Sequence, residues 1–320
     1  VSYCMVFSEL NAQEAQVLDD RFEVLRVEKI WDGDPYSAFT DLVRFKGYFY
    51  CTFRVGKKHA GGDKGSIRVL RSEKGQTWES VFLLTLPDIT DSTVLDARDP
   101  KMSITPDNRL MLHVGVTHYA GNKAIGYQPV VCFSEEGTSW GQSQKLNVTE
   151  RWPWRPTWHD KKAWVVAYAG NPYKAVLMSS EDGIHYQNHF EFDIPGVLPN
   201  EVTLRFTKNG RMLALLRVDR GDRKAVLGYA DPPYQQWEYH NTGSFIGGPE
   251  LFVLDADHYL ACGRMYIKEK IAQTVLSMLS PQGLLTPAVV FPSGGDTSYP
   301  GIVKHKGKLL VSYYSCLLYT

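Results

Sequence analysis

The chain lacks most of the features that assign a function at a glance. Its 35 basic and 35 acidic residues cancel over 320 positions, so it has no basic excess with which to grip nucleic acid or an anionic membrane surface. No apolar run approaches the roughly 18–20 residues of a membrane-spanning helix. The five cysteines (Cys4, Cys51, Cys132, Cys262, Cys316) show no C-x-x-C or other paired spacing. Cys51, Cys132 and Cys262 lie inside apolar strand patterns, the setting of buried free thiols. Helical periodicity is nearly missing, and only residues 9–19 predict a helical turn. There is no P-loop, no dinucleotide-binding fingerprint and no His/Cys/Asp/Glu cluster of metal-ligand spacing, so no metal or other cofactor is expected. The chain opens at Val1 without an initiator methionine, so a leader peptide would already lie outside it. A monomer in a periplasmic or secreted setting is the expectation.

What the chain does have is one element six times over: an apolar strand, a tight turn, and a second apolar strand. Leu42–Cys51 turns at Gly47, Lys101–Val114 at Asn108, Thr157–Ala167 at Lys161-Lys162, Val202–Leu216 at Gly210, Leu251–Cys262 at Asp257 and Gly301–Tyr313 at Gly307. The copies recur roughly every 50 residues, a period typical of propeller repeats. Segments such as Tyr48–Phe53, Ile67–Arg71, Leu110–Val116, Trp164–Tyr168 and Ala175–Met178 carry the β-branched and aromatic residues of strands. A second element follows several hairpins: Ser72-Glu73-Lys74-Gly75-Gln76-Thr77-Trp78, Ser134-Glu135-Glu136-Gly137-Thr138-Ser139-Trp140 and Ser180-Glu181-Asp182-Gly183-Ile184-His185-Tyr186. This pattern predicts a turn in which glycine takes positive φ and the aromatic plugs between sheets.

With 43% apolar residues and no Pro/Gly/Ser linker, the chain reads as one all-β domain over residues 1–320. The expected fold is a six-bladed β-propeller of four-stranded antiparallel blades. The last hairpin is followed by too little chain for outer strands, so Phe22–Trp31 is expected to complete that blade and hide its edge.

In such a repeat the start of each first strand and the end of each second strand share one rim. The first set is Thr40-Asp41, Arg98-Asp99, Trp154-Arg155, Asn200-Glu201, Pro249-Glu250 and Ser298-Tyr299. The second set is Arg54, Gly115, Tyr168, Arg217, Arg264 and Tyr314. Convergent guanidiniums suit a carboxylate, since each is a rigid fork of donors matching two oxygens. The ligand is therefore expected to be small and anionic, and His59, His118 and Glu250 are further candidates near it.

At these residues the chain resembles the sialidase superfamily, six-bladed propellers with Ser-x-Asp-x-Gly-x-Thr-Trp boxes. The resemblance covers nearly the whole chain and implies residue roles. Asn200-Glu201 and Arg217 look like the family's glutamate and second arginine, Cys262-Gly263-Arg264 like its third arginine, and Ser298-Tyr299-Pro300 like its nucleophilic tyrosine. Asp63 falls where the acid/base aspartate precedes the first box. The implied activity is exo-acting release of a terminal sialic acid or related acidic sugar from a glycoconjugate: Tyr299 attacks, Glu201 takes its proton, and Asp63 protonates the leaving oxygen. One feature departs from the pattern. Where the family opens its first blade with Phe-Arg-Ile-Pro, this chain reads Ser37-Ala38-Phe39-Thr40-Asp41-Leu42. Arg54, Arg98 or Arg155 is then expected to supply the missing guanidinium, Arg54 being favoured by its repeat position, with Asp41 contacting a hydroxyl or amine. Two other classes stay open: a uronate-directed hydrolase or lyase on the same propeller, and a non-catalytic glycan-binding propeller.

Overall fold

The computed structural model describes residues 15–61, 63–87, 93–169, 172–267 and 271–317. The described residues form strands, turns and loops without a helix. All six hairpins form, the third turning at Asp160-Lys161, one residue before the expected Lys161-Lys162. Lys46 and Gly47 turn the first with φ of 43° and 90°, and Lys306 and Gly307 turn the last with 49° and 75°. Two successive positive-φ residues give the two-residue turn whose twist matches that of the flanking strands.

Five of the hairpins extend into antiparallel sheets. The first blade runs Tyr36–Phe45, Tyr48–Gly56, Ser66–Ser72, Glu79–Leu84, and the fourth runs Pro199–Phe206, Met212–Val218, Val226–Ala230, Glu238–Asn241. The second and third carry extra short strands, and the third has its inner strand broken into Trp152–Pro153 and Thr157–His159. The fifth blade orders Gly247–Val253, Tyr259–Tyr266, Ala272–Leu279, Leu285–Val290 from the inside outward. Gln16–Val17 adds to its outer edge, pairing with Val289 and Val290.

The last hairpin, Gly295–His305 with Lys308–Leu317, is a two-stranded sheet. Its Ile302, Leu309 and Val311 pack with Leu260, Cys262 and Leu276 of the fifth blade, and its Leu310 packs with Leu42, Phe49 and Cys51 of the first. It thus sits between the first and fifth blades. Two expectations change here. The segment 22–31 is not a strand beside that hairpin: it carries a single bridge position at Val24, while Phe22, Val24 and Val27 cover the hairpin's apolar face by side-chain packing. The helical turn at 9–19 does not form at its described end, where Gln16–Val17 is extended; residues 9–14 lie outside the described residues.

The three serine-glycine turns share one bond. Gly75 N–H donates to Ser72 Oγ (2.9 Å), Gly137 to Ser134 Oγ (2.7 Å) and Gly183 to Ser180 Oγ (2.9 Å), each glycine at positive φ. Cys51, Cys132 and Cys262 are free and buried.

Candidate functional site

The inner strands are interrupted at one repeated place. Pairing slips between Ala38 and Asp41, Arg98 and Lys101, Asn200 and Thr203, Gly247 and Glu250, and Ser298 and Gly301. Each slip is a bulge, which bends its strand and re-aims one side chain. The re-aimed residues occupy the left-handed region: Phe39 (φ 63°), Asp99 (50°), Glu201 (44°), Gly248 (57°) and Tyr299 (54°). Four of the five are not glycine, and a non-glycine residue held there costs roughly 1–2 kcal/mol. The strain is concentrated where Asp99, Glu201 and Tyr299 converge.

These residues line a cavity of about 170 Å³. Phe39, Asp99, Glu201 and Tyr299 come from the bulges, Arg98, Trp152 and Tyr168 from neighbouring strand positions, and Tyr127 and His59 from the blades' outer connections. Tyr299 donates its hydroxyl proton to Glu201 Oε1 at 2.7 Å. The other carboxylate oxygen accepts from Gly248 N–H at 3.0 Å and from Arg217 Nη1. Tyr299 is 7% exposed. Burial, and after it the charges of Glu201 and Asp99, push its phenol well above the ordinary tyrosine value, so the resting group is neutral. Asp99 is buried too, with Oδ2 accepting from Trp152 Nε1 at 3.0 Å and Oδ1 unpartnered among the described residues. Burial raises its carboxyl against the opposing pull of Arg98 and Lys101.

The second rim set lands in strict register. Arg54, Gly115, Tyr168, Arg217, Arg264 and Tyr314 pair with Ala38, Arg98, Trp152, Asn200, Gly247 and Ser298 in turn. Their environments differ sharply. Arg217 joins Glu201 and places Nε 3.0 Å from Asp219 Oδ1. Arg264 donates its backbone N–H to Ser298 Oγ at 3.1 Å, next to Tyr299 in the chain, and its Nη1 stands 3.9 Å from Asp296 Oδ1. Arg217 thus touches the Tyr299–Glu201 pair from the fourth blade, while Arg264 belongs to the fifth. In the second blade the arginine has moved across the ladder to Arg98, and its partner is Gly115. A Cβ at Gly115 would meet the Trp152 ring at 2.2 Å, so glycine there lets Trp152 slide in, with the Arg98 guanidinium 4.8 Å above its ring.

Arg54 does not reach the cavity. Its side chain is fully buried, with Nε bound to Asp96 Oδ1 (2.7 Å), Nη1 to the Lys58 carbonyl (2.7 Å) and Nη2 to Asp63 Oδ2 (3.3 Å). The scaffold uses its donors on all three nitrogens, so it does not stand in for the missing first-blade guanidinium. Asp63 is held by the same contact and by Lys57 N–H (2.6 Å) and Lys58 N–H (3.2 Å). Burial tends to raise its carboxyl, but these donors and Arg54 outweigh that and hold it below the usual range. It is absent from the residues lining the cavity.

Arg155, Asp41 and Glu250 lie two residues deeper along the inner strands, on the axis. Arg155 Nη1 pairs with Asp41 Oδ1 and with Glu250 Oε2 (2.6 Å), its Nη2 donates to the Pro300 carbonyl (3.0 Å), and Arg205 pairs with Glu250 Oε1. Lys101 donates to the Thr40 carbonyl at 3.3 Å under the rings of Trp154 and Tyr299. Burial, with the neighbouring Arg155 charge, lowers its ammonium to about 8. Rather than binding substrate, Asp41, Arg155 and Glu250 form a buried floor beneath Tyr299. The strand bulge hid this from the sequence: the residues equivalent to Glu201 and Tyr299 are Phe39 and Gly248, two positions before Asp41 and Glu250. A visible signal was the recurring proline one residue on, at Pro100, Pro249 and Pro300.

Gly248 is needed for the geometry. A Cβ there would lie 2.9 Å from Tyr299 Cδ2 and 2.8 Å from Ser298 Oγ, at positive φ. Gly248→Ala is expected to lower stability by about 1–3 kcal/mol and to cost activity beyond that by tilting the Tyr299 ring. Denaturant unfolding and turnover of the folded fraction check the two effects separately.

No family model and no curated protein sequence matches the chain. Solved structures do. A Dyadobacter fermentans protein of unknown function superposes with a TM-score of 0.75 at 16% identity, over 96% of both chains. The NanB sialidase of Streptococcus pneumoniae gives 0.63 at 11%, covering 86% of this chain and 65% of its own. The leech intramolecular trans-sialidase gives 0.66 at 11%, covering 90% and 70%. The likeness is one of fold. The chain thus has the β-propeller architecture found in sialidases, while its chemistry has to be read from its own residues.

Proposed function

We propose that this pocket hydrolyses the glycosidic bond of a terminal acidic sugar, a sialic acid or a related sugar whose anomeric carbon bears a carboxylate. One observation carries the reading: a buried tyrosine and a carboxylate, brought from different blades, share a 2.7 Å hydrogen bond, with Arg217 on the carboxylate's other oxygen. A neutral phenol suits an anomeric centre already carrying negative charge, which would repel a carboxylate nucleophile. Tyr299 attacks as Glu201 Oε1 takes its proton, and a glycosyl-tyrosine forms that water later releases with retention. Glu201 stays in place through this because Arg217 and Gly248 N–H hold its second oxygen.

Arg217 and Arg264 form the carboxylate clamp, a pair in place of the three guanidiniums that the family resemblance implies. Arg98 and Asp99 face the sugar from the second blade. The same reading takes Gly295–His305 and Lys308–Leu317 as the inner half of a sixth blade, closed by chain from the N-terminal side; the packing of Phe22, Val24 and Val27 on that hairpin supports it.

Exposure to a 3-fluoro sialosyl fluoride, followed by peptide mass analysis, is expected to place the sugar on Tyr299. A label elsewhere, or none during active turnover, overturns the mechanism. Rising absorbance from unsaturated products would assign a lyase, and glycan binding without cleavage a lectin-like propeller. Arg264→Ala is expected to lower kcat/KM by roughly 10–200-fold through loss of charge-assisted hydrogen bonds; steady-state kinetics on aryl sialosides measures it.

A further inference from the structure

The Tyr299–Glu201 pair accounts for the nucleophile but leaves the departing oxygen without a proton. Asp63 is occupied by Arg54 and two backbone N–H groups. On the same connection, His59 does line the cavity, where it and Tyr299 both stand edge-on to the Phe39 ring at centroid distances of 4.8 and 5.0 Å. Its Nδ1 lies 2.8 Å from Asp296 Oδ2 and 3.0 Å from Tyr36 Oη. Asp296 also accepts from the Tyr36 hydroxyl, and from Tyr314 Oη at 2.8 Å. Burial tends to raise that carboxyl, but the hydrogen bonds from His59, Tyr36 and Tyr314 outweigh it and hold the value at about 2. An ionised carboxylate only accepts, and the Tyr36 proton is already committed to it. The hydrogen on the imidazole must therefore sit on Nδ1, facing Asp296. That leaves Nε2, which has no protein partner among the described residues, as the nitrogen that exchanges protons on a half-exposed ring.

We infer that His59, oriented by Asp296, is the acid and base of the reaction proposed above, in place of an aspartate. In the first step the Tyr299 oxygen bonds to the anomeric carbon as the bond to the leaving oxygen breaks. The Nε2 proton of the His59 imidazolium passes to that oxygen, and the phenol proton passes to Glu201. In the second step water attacks the anomeric carbon, Nε2 takes its proton, and Tyr299 leaves and recovers its own proton from Glu201. The sum is glycoside plus water giving free sugar plus alcohol. Asp296 touches neither sugar nor leaving group and is a positioning residue. The inference rests on Tyr299 being the nucleophile.

The test compares 4-nitrophenyl α-sialoside, whose leaving group needs no proton, with 3′-sialyllactose, whose leaving group does. His59→Ala is expected to reduce kcat/KM on sialyllactose by about 10²–10⁴-fold and on the nitrophenyl substrate by less than about 10-fold, because proton donation matters only to the first. Azide, a nucleophile that needs no base, is expected to restore nitrophenyl turnover by forming the glycosyl azide. Asp296→Asn should move the ratio of the two kcat/KM values the same way by less, and Asp63→Asn should leave it unmoved. Loss of folded enzyme cancels in that ratio. Equal losses on both substrates for His59→Ala, or the discriminating pattern in Asp63→Asn, would sink the assignment while leaving Tyr299 intact. A wild type inert on both substrates, or a fully active Tyr299→Phe, would instead sink the reading on which it rests.

Discussion

Tyr299→Phe is expected to lower turnover of an aryl sialoside by at least about a thousandfold, the scale on which loss of a covalent nucleophile acts. The substitution removes a single oxygen. The ring keeps its contacts with Phe39, Trp154 and Tyr314, at centroid distances of 5.0, 5.4 and 6.0 Å, so the pocket keeps its shape. The lost bond to Glu201 should change stability by only about 1 kcal/mol, because Glu201 retains Arg217 and the Gly248 N–H. Binding of an unsaturated sialic acid analogue should therefore persist while turnover vanishes. Calorimetric titration beside steady-state kinetics separates the two, and retention of wild-type kcat would overturn the nucleophile assignment.

Glu250→Ala is expected to be the most damaging single change to stability, at roughly 3–5 kcal/mol. Its carboxylate faces Arg155 and Arg205 in a setting where Glu250 is 1% exposed. Removing it leaves the buried Arg155 guanidinium with Asp41 as its remaining carboxylate and Arg205, partly exposed, without one, and Asp41 is also held by Met102 N–H at 2.7 Å. A buried cation without a counter-charge has lost its hydration and gained nothing in return. Glu250→Gln keeps the acceptor oxygen and should cost less. Chemical denaturation measures both; an unchanged midpoint for Glu250→Ala would mean that water reaches the axis. Because this floor lies under the Tyr299 ring, activity should fall along with stability.

Much of the fold was legible in the chain because hairpins are local. An apolar strand, a turn able to take positive φ, and a second strand specify their own pairing, and their repetition specifies a propeller. The register of each second strand was legible for the same reason, which is why Arg54, Arg217, Arg264 and Tyr314 were found at equivalent positions. The outer edge was not. Phe22–Trp31 has the alternation of a strand, yet Phe22, Val24 and Val27 are satisfied by packing on the last hairpin, and it is Gln16–Val17 that finds a free strand edge, on the fifth blade.

The site divides in the same way. The sequence by itself determined that Glu201, Tyr299, Arg217 and Arg264 share one rim, since their places follow from counting along hairpins. Only the tertiary structure decided which charged groups face the cavity and which face one another. A bulge slips the inner strand by a residue, and that slip sends Phe39 and Asp99 to the pocket while Asp41 and Glu250 go to the axis. Arg54 shares a register position with Arg217 and Arg264, but Asp96 and Asp63 stand within reach of it, and a buried guanidinium goes to the nearest carboxylates. His59 gains its place from Asp296, 237 positions along the chain. Contacts of that kind are set by how the blades pack against one another, and no local pattern encodes them.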